Sequence, residues 1–126
     1  FGSFELRKRE NTEHIGQDVD YENNCVPVTL LAIDSFEFDR LDLIKIDVEG
    51  MEMDVLQGGQ NTIRTLKPLM TIEVIKTSKK ELFTLLESWG YQCFKFGLNV
   101  IACHEDDPSL SAMGNLVRVY ASDPEA

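Results

Sequence analysis

Three carboxylates, Asp47, Glu49 and Glu73, are the residues of this chain whose type and spacing could do chemistry. Asp47 and Glu49 close the run Leu41-Asp42-Leu43-Ile44-Lys45-Ile46-Asp47-Val48-Glu49-Gly50, and Glu73 stands near the end of Leu69-Met70-Thr71-Ile72-Glu73-Val74-Ile75. Near-continuous apolar runs of this length read as strands covered on both faces, as in parallel sheets. Open α/β sheets bind their ligands in the crevice beyond the carboxyl ends of such strands. Side chains alternate along a strand, so Lys45 and Asp47 share one face while Ile46 and Val48 take the other. If the two runs are neighbours at about 4.8 Å, the three acids converge on one rim.

Acids held that close repel, and something must offset the repulsion. The options are a proton retained by a raised pKa, a cation such as Lys45, a divalent metal, or a bound positive group. They lead to different chemistry. A general base needs one carboxylate beside a substrate hydroxyl, whereas Mg²⁺ needs octahedral oxygen ligands. In a purely architectural role, Glu49 caps the following helix, where the dipole favours an anion, and Asp47 accepts turn amides. Spacing alone leaves these open, and no metal site is assigned. Gly50 marks a turn whose backbone angles favour glycine.

The elements that must position these acids follow from the pattern. Phe1 to Arg9 alternates like an exposed strand, and Glu10 to Asn24 is a polar, acidic loop. Val26 to Ile33 is apolar around Pro27 and predicts a strand, turned by Asp34-Ser35, with Phe36 and Phe38 packing before the next strand near Leu41. Met51, Val55 and Leu56 fall at helical spacing with Gly58-Gly59 as the stop, and Asn61 to Leu66 adds a further turn before Pro68. Ser78-Lys79-Lys80-Glu81 is a capping box opening an amphipathic helix through Trp89 that Gly90 ends. Tyr91 to Phe96 and Asn99 to Cys103 read as a hairpin across Gly97-Leu98. Strands alternating with helices imply crossovers and a mostly parallel sheet, with the hairpin's last strand as an antiparallel edge. The tail from His104 carries no assignable pattern. The expectation is one α/β domain over residues 1–126, with its core at 26–103.

Composition narrows the partners. A net charge of −10 argues against a nucleic-acid backbone, which needs a concentrated basic surface. Arg7-Lys8-Arg9 is the only basic run and reads as a solvated strand end. No apolar run approaches the roughly 20 residues that span a bilayer, and no signal peptide opens the chain. Cys25, Cys93 and Cys103 are odd in number and lack a CxxC pair, against a secreted disulfide framework. The cytoplasm is the expected compartment. His14 and His104 sit in no nucleophile or metal spacing and are expected at the surface.

The segment Leu41-Asp-Leu-Ile-Lys-Ile-Asp-Val-Glu-Gly-Met-Glu-Met-Asp-Val-Leu-Gln-Gly-Gly resembles the hallmark of FkbM-type methyltransferases. The likeness continues through Lys67-Pro-Leu-Met-Thr-Ile-Glu-Val and takes in Leu30 to Ser35, spanning roughly Val26 to Cys103. It implies a class I S-adenosylmethionine-dependent fold, a doubly wound α/β sheet with an antiparallel strand near one edge, and O-methylation of a small-molecule hydroxyl acceptor. Carried across, Asp47 and Glu49 would be the fourth-strand acids facing methyl donor and acceptor, and Glu73 the acid closing the fifth strand. Asp47 would orient or deprotonate the acceptor hydroxyl beside the sulfonium.

The family's glycine-rich turn after the first strand, and its acid after the second, have no counterpart in this chain. Each crossover takes about 30 residues, more than the stretch before Val26 can hold. The expectation is therefore a partial doubly wound sheet, the C-terminal half of such a domain, binding S-adenosylmethionine weakly or not at all by itself. Two other readings stand beside this one. A half sheet exposes an edge and an apolar face, which favours a non-catalytic module that self-associates as a homo-oligomer. The acidic cluster could also serve metal-assisted hydrolysis.

Overall fold

The computed structural model describes residues 28–123. The chain divides into two compact units, Phe1–Leu31 and Ala32–Ala126, and every element below belongs to the second. The expected strand at Phe1 to Arg9, the acidic loop, His14 and Cys25 lie outside the described residues.

The first acid-bearing run forms β1, Leu43–Ile46, and ends one residue before Asp47. Two short helices follow, α1 (Glu52–Gly58) and α2 (Gln60–Leu66). They break at the glycine pair, where a Cβ on Gly59 would lie 3.1 Å from side-chain carbons of Ile33 and Ile63, so the close approach requires glycine. Lys67 takes the left-handed conformation that ends α2, and Pro68 cannot extend a helix. β2, Leu69–Glu73, then runs parallel to β1, pairing Ile44 with Met70 and Ile46 with Ile72. Ser78 caps α3, Lys79–Ser88, its hydroxyl accepting from the Glu81 amide as the capping box requires. The hairpin is β3, Tyr91–Phe96, and β4, Asn99–His104. A 3-10 segment, Pro108–Asn115, leads to β5, Val117–Val119, in the tail that the sequence left unassigned.

The strand order β1-β2-β4-β3-β5 corrects the expected mostly parallel sheet. Among the described residues only β1 and β2 are parallel neighbours; β2–β4, β4–β3 and β3–β5 are antiparallel. The reason is topological. β1, β2 and β3 all run the same way, as helical connections demand, but β4 folds back from the Gly97-Leu98 turn into the gap between β2 and β3. The hairpin strand expected at an edge is therefore interior, and β5 adds one more antiparallel pairing outside β3.

A second correction concerns Val26 to Ile33. Residues 28–32 join no strand, and Ile33–Ser35 wind into a 3-10 turn closed by the Phe36 amide on the Ile33 carbonyl at 3.0 Å. Apolar, β-branched residues do not make a strand without ladder partners, and Asp34 has a competing use. Its carboxylate accepts from the amides of Asn61 (3.0 Å) and Thr62 (2.8 Å), satisfying the start of α2. Phe36 and Phe38 do pack, with ring centroids 5.8 Å apart.

The core lies between one sheet face and the helices. Ile46, Met70, Ile72, Val100, Ala102, Tyr91 and Cys93 meet Leu56, Ile63, Leu82, Phe83 and Leu86, all buried. Alternation consequently sends Lys45, Thr71 and Glu73 to the opposite face. The acids stand at the carboxyl ends of the one parallel pair, clear of the helices.

Candidate functional site

β1 ends at Ile46, and beyond it the backbone turns sharply through Val48–Met51, closed by the Met51 amide on the Val48 carbonyl at 3.3 Å. Glu49 adopts φ +54° and Gly50 φ +101°. Left-handed backbone is natural for Gly50 and uncommon for a glutamate, a local cost that the surrounding structure must sustain. The turn also lies close against the exit of β2, since a Cβ on Gly50 would meet the Lys76 Cβ at 3.3 Å.

Carboxylate oxygens of Asp47, Glu49 and Glu73 lie within 4.8 Å of one another. The three acids expected to converge do so. Two lysines share the cluster: Lys45 Nζ is 3.1 Å from Asp47 Oδ2, and Lys76 Nζ is 2.9 Å from Glu49 Oε2. Among the described residues no ammonium lies within ion-pair distance of Glu73. Titration follows this asymmetry. The hydrogen bond from Lys45 holds the Asp47 carboxyl below its ordinary value, with a smaller contribution from Glu73. Partial removal from water and the adjacent Asp47 charge raise Glu73, and Glu49 adds to that. Neighbouring carboxyls pushed apart in this way divide into one that stays ionised and one that holds a proton longer.

Of the offsets open from sequence, the structure therefore uses lysines and a raised carboxyl. The same oxygens could be offered to a hard cation, but two of the three acids already have ammonium partners. Among the described residues, three carboxylates face two ammonium groups at this rim, which keeps it acidic. In place of the helix-capping role open to it from sequence, Glu49 pairs with Lys76, and the residue before α1, Met51, makes no side-chain cap bond.

Sequence reasoning missed the residue that ties this site together. Glu52 is only 2% exposed, its Oε1 accepting the Gly50 amide at 3.1 Å and its Oε2 the Thr77 hydroxyl. Its signal was present in the first turn after Gly50, but an acid there reads as a solvated helix start. His104, expected at the surface, is instead buried at 5% exposure. It ends β4 opposite Tyr91, whose ring it meets edge-on at 5.2 Å, and its Nδ1 accepts the Asp106 amide at 3.1 Å. It lies away from the acids and belongs to the packing of the hairpin base. Cys93 and Cys103 are buried free thiols. Burial pushes Cys93 up to about 12, so it is inert as a nucleophile.

No curated protein and no solved structure matches the chain. The sequence profile of the Methyltransferase FkbM domain family matches residues 2–93, which takes in the turn with Asp47 and Glu49, the β2 acid Glu73 and the Glu52 tie between them. By that match, over most of its length, the chain belongs to the FkbM methyltransferase domain family.

Proposed function

We propose that the chain carries the acid-bearing side of an S-adenosylmethionine-dependent O-methyltransferase site. The observation behind this reading is the convergence of Asp47, Glu49 and Glu73 at the carboxyl ends of β1 and β2, in a chain of a methyltransferase family. The inserted antiparallel strand β4 is consistent with the class I sheet that the sequence resemblance implies. When bound, S-adenosylmethionine supplies a methyl group on a sulfonium. An acidic rim suits that cation, and Asp47, held ionised by Lys45, is the residue to face it. Asp47 also orients the acceptor hydroxyl. Glu73, with the raised carboxyl, is the stronger base and takes the hydroxyl proton as the oxygen is alkylated. Glu49, anchored to Lys76, stays at the rim and adds to the raising of the Glu73 carboxyl. These are positioning and electrostatic contributions, without a covalent enzyme intermediate.

The test is transfer of isotopically labelled methyl from S-adenosylmethionine to a panel of hydroxyl-bearing small molecules. Asp47→Asn and Glu73→Gln are each expected to lower transfer by about 10²-fold or more, the usual contribution of a positioned acid or base. Transfer at the unaltered rate by both variants would remove these residues from the chemistry.

A second reading is self-association through the sheet. Leu43 on β1, and Phe96, Leu98 and Val117 at the hairpin tip and β5, are large apolar residues left exposed. Its occupant would be a second copy of this chain, and the measurement is oligomeric state in solution.

A further inference from the structure

Glu52 is a buried carboxylate that the chemistry above does not use. Burying a carboxylate is costly unless hydrogen bonds replace its water, so its two partners identify what the fold gains from it. One oxygen accepts from the amide of Gly50, inside the left-handed turn; the other accepts from the Thr77 hydroxyl, four residues beyond Glu73. One side chain thereby joins the segment carrying Asp47 and Glu49 to the segment carrying Glu73. A second tie, Lys76 to Glu49, spans the same gap from the rim side. Between these ties Glu49 keeps φ +54°, a conformation an unconstrained glutamate rarely holds.

We propose that Glu52 is the positioning residue of the acidic rim: through Gly50 and Thr77 it holds the Val48–Met51 turn in the left-handed form that keeps Glu49 and Asp47 beside Glu73. This deepens the reading of the rim as a methyl-transfer site and rests on it for its functional meaning. Glu52 touches none of the reacting groups and acts through the turn. Without its carboxylate the Gly50 amide loses its acceptor, Glu49 relaxes to negative φ, and its carboxylate leaves Glu73. A glutamine at this position keeps a carbonyl oxygen for Gly50 and an amide that can donate to the Thr77 hydroxyl, so it should preserve the turn.

The experiment is NMR on the full chain as the wild type and as Glu52→Ala, Glu52→Gln and Ile63→Val. It follows the backbone shifts of Glu49 and the side-chain carboxyl titration of Glu73. Glu52→Ala is expected to lose the left-handed signature at Glu49 and to bring the Glu73 midpoint down towards the ordinary glutamate range. Glu52→Gln should restore both. Ile63→Val, a modest core truncation in α2, is expected to change neither. Glu49 staying left-handed in Glu52→Ala would overturn the proposal, as would a Glu73 midpoint unmoved when the turn changes, or one moved equally by Ile63→Val. If Glu52→Ala does not fold, Thr77→Val removes one of the two bonds alone and should lower the Glu73 midpoint part of the way; no shift there would overturn the proposal. A wild-type Glu73 with an ordinary midpoint would instead count against the rim as the reactive site, while the Glu49 backbone still decides the role of Glu52.

Discussion

At the scale of single residues, the pairing of opposed titrations on Asp47 and Glu73 has consequences for stability as well as chemistry. Asp47 is lowered chiefly by the Lys45 hydrogen bond, so its stabilising effect is present above the unfolded aspartate value and is lost as pH falls through the folded one. Glu73 has the opposite sign. Its folded value is raised, so the stability it contributes is complete below the unfolded glutamate value and is lost as pH rises through the folded one. At neutral pH Glu73 is therefore a cost to the fold, retained where a neutral side chain would relieve it. Glu73→Gln is expected to melt at a higher temperature than the wild type at pH 7, with the difference disappearing in acid; thermal denaturation across pH checks it. A lower melting temperature at pH 7 would mean that Glu73 is structurally supportive and that the repulsion is already relieved. Asp47→Asn removes the main neighbouring charge, and the Glu73 midpoint should fall towards the ordinary range in a carboxyl NMR titration. The three acids were legible in the sequence because strand alternation and the end of an apolar run are local signals. Glu52 and Thr77 were not, because their meeting depends on how closely the β1 turn approaches the exit of β2, which no local pattern encodes.

Among the elements, α1 and α2 connect the sheet's parallel pair and bury Leu56 and Ile63 against it, and α2 depends on a cap drawn from far away in sequence. Asp34 reaches Asn61 and Thr62 from a 3-10 turn 27 and 28 residues upstream. Partial burial pushes its carboxyl up, but the amides of Thr62 and Asn61 together prevail and lower it. Asp34→Ala should cost about 0.5–2 kcal/mol, the usual range for a lost helix cap, measurable by urea denaturation at pH 7. The difference should shrink as acid protonates Asp34 in the wild type, because a lowered carboxyl gives up its stabilisation on the way through its folded value. An equal loss at pH 7 and in acid would show that the cap contributes through shape alone. The same contact explains one sequence expectation that did not hold. Val26 to Ile33 has strand composition, yet Asp34-Ser35 is committed to the cap and the turn, and residues 28–32 find no ladder. Helix α3 and the hairpin were legible because their signals are complete within themselves: a serine cap, an amphipathic stripe, and a two-residue glycine turn. The place of β4 between β2 and β3 was not, because strand order is set by which edge remains free after the crossovers, a property of the whole sheet.

For the molecule as a whole, the order β1-β2-β4-β3-β5 leaves β1 at one end of the sheet among the described residues, with Leu43 exposed on it. An apolar residue on an edge strand favours pairing with another chain, which proteins commonly block with lysine or proline. The net charge of −10 acts the other way, since two copies brought together repel. These forces differ in their response to salt. Screening shortens the range of the repulsion, to about 10 Å at 0.1 M ionic strength and about 3 Å at 1 M, while apolar contact and strand pairing persist. If the second reading holds, sedimentation equilibrium should give a mass near the 14.3 kDa of one chain at low salt and low concentration. The mass should rise towards two chains as concentration and salt increase. Leu43→Lys places a charge on the edge and should hold the chain at one copy under the same conditions, while Phe96→Ser tests whether the hairpin tip shares in the contact. A single-chain mass throughout would exclude self-association. Association that survives Leu43→Lys but not Phe96→Ser would move the contact to the hairpin. There Glu73 pairs with Asn99 across β4 and Phe96 pairs with Asn99 across the hairpin, so the tip and the acids occupy one end of the sheet. In that arrangement a second copy would cover the approach to Glu73, and methyl transfer should then fall as protein concentration rises.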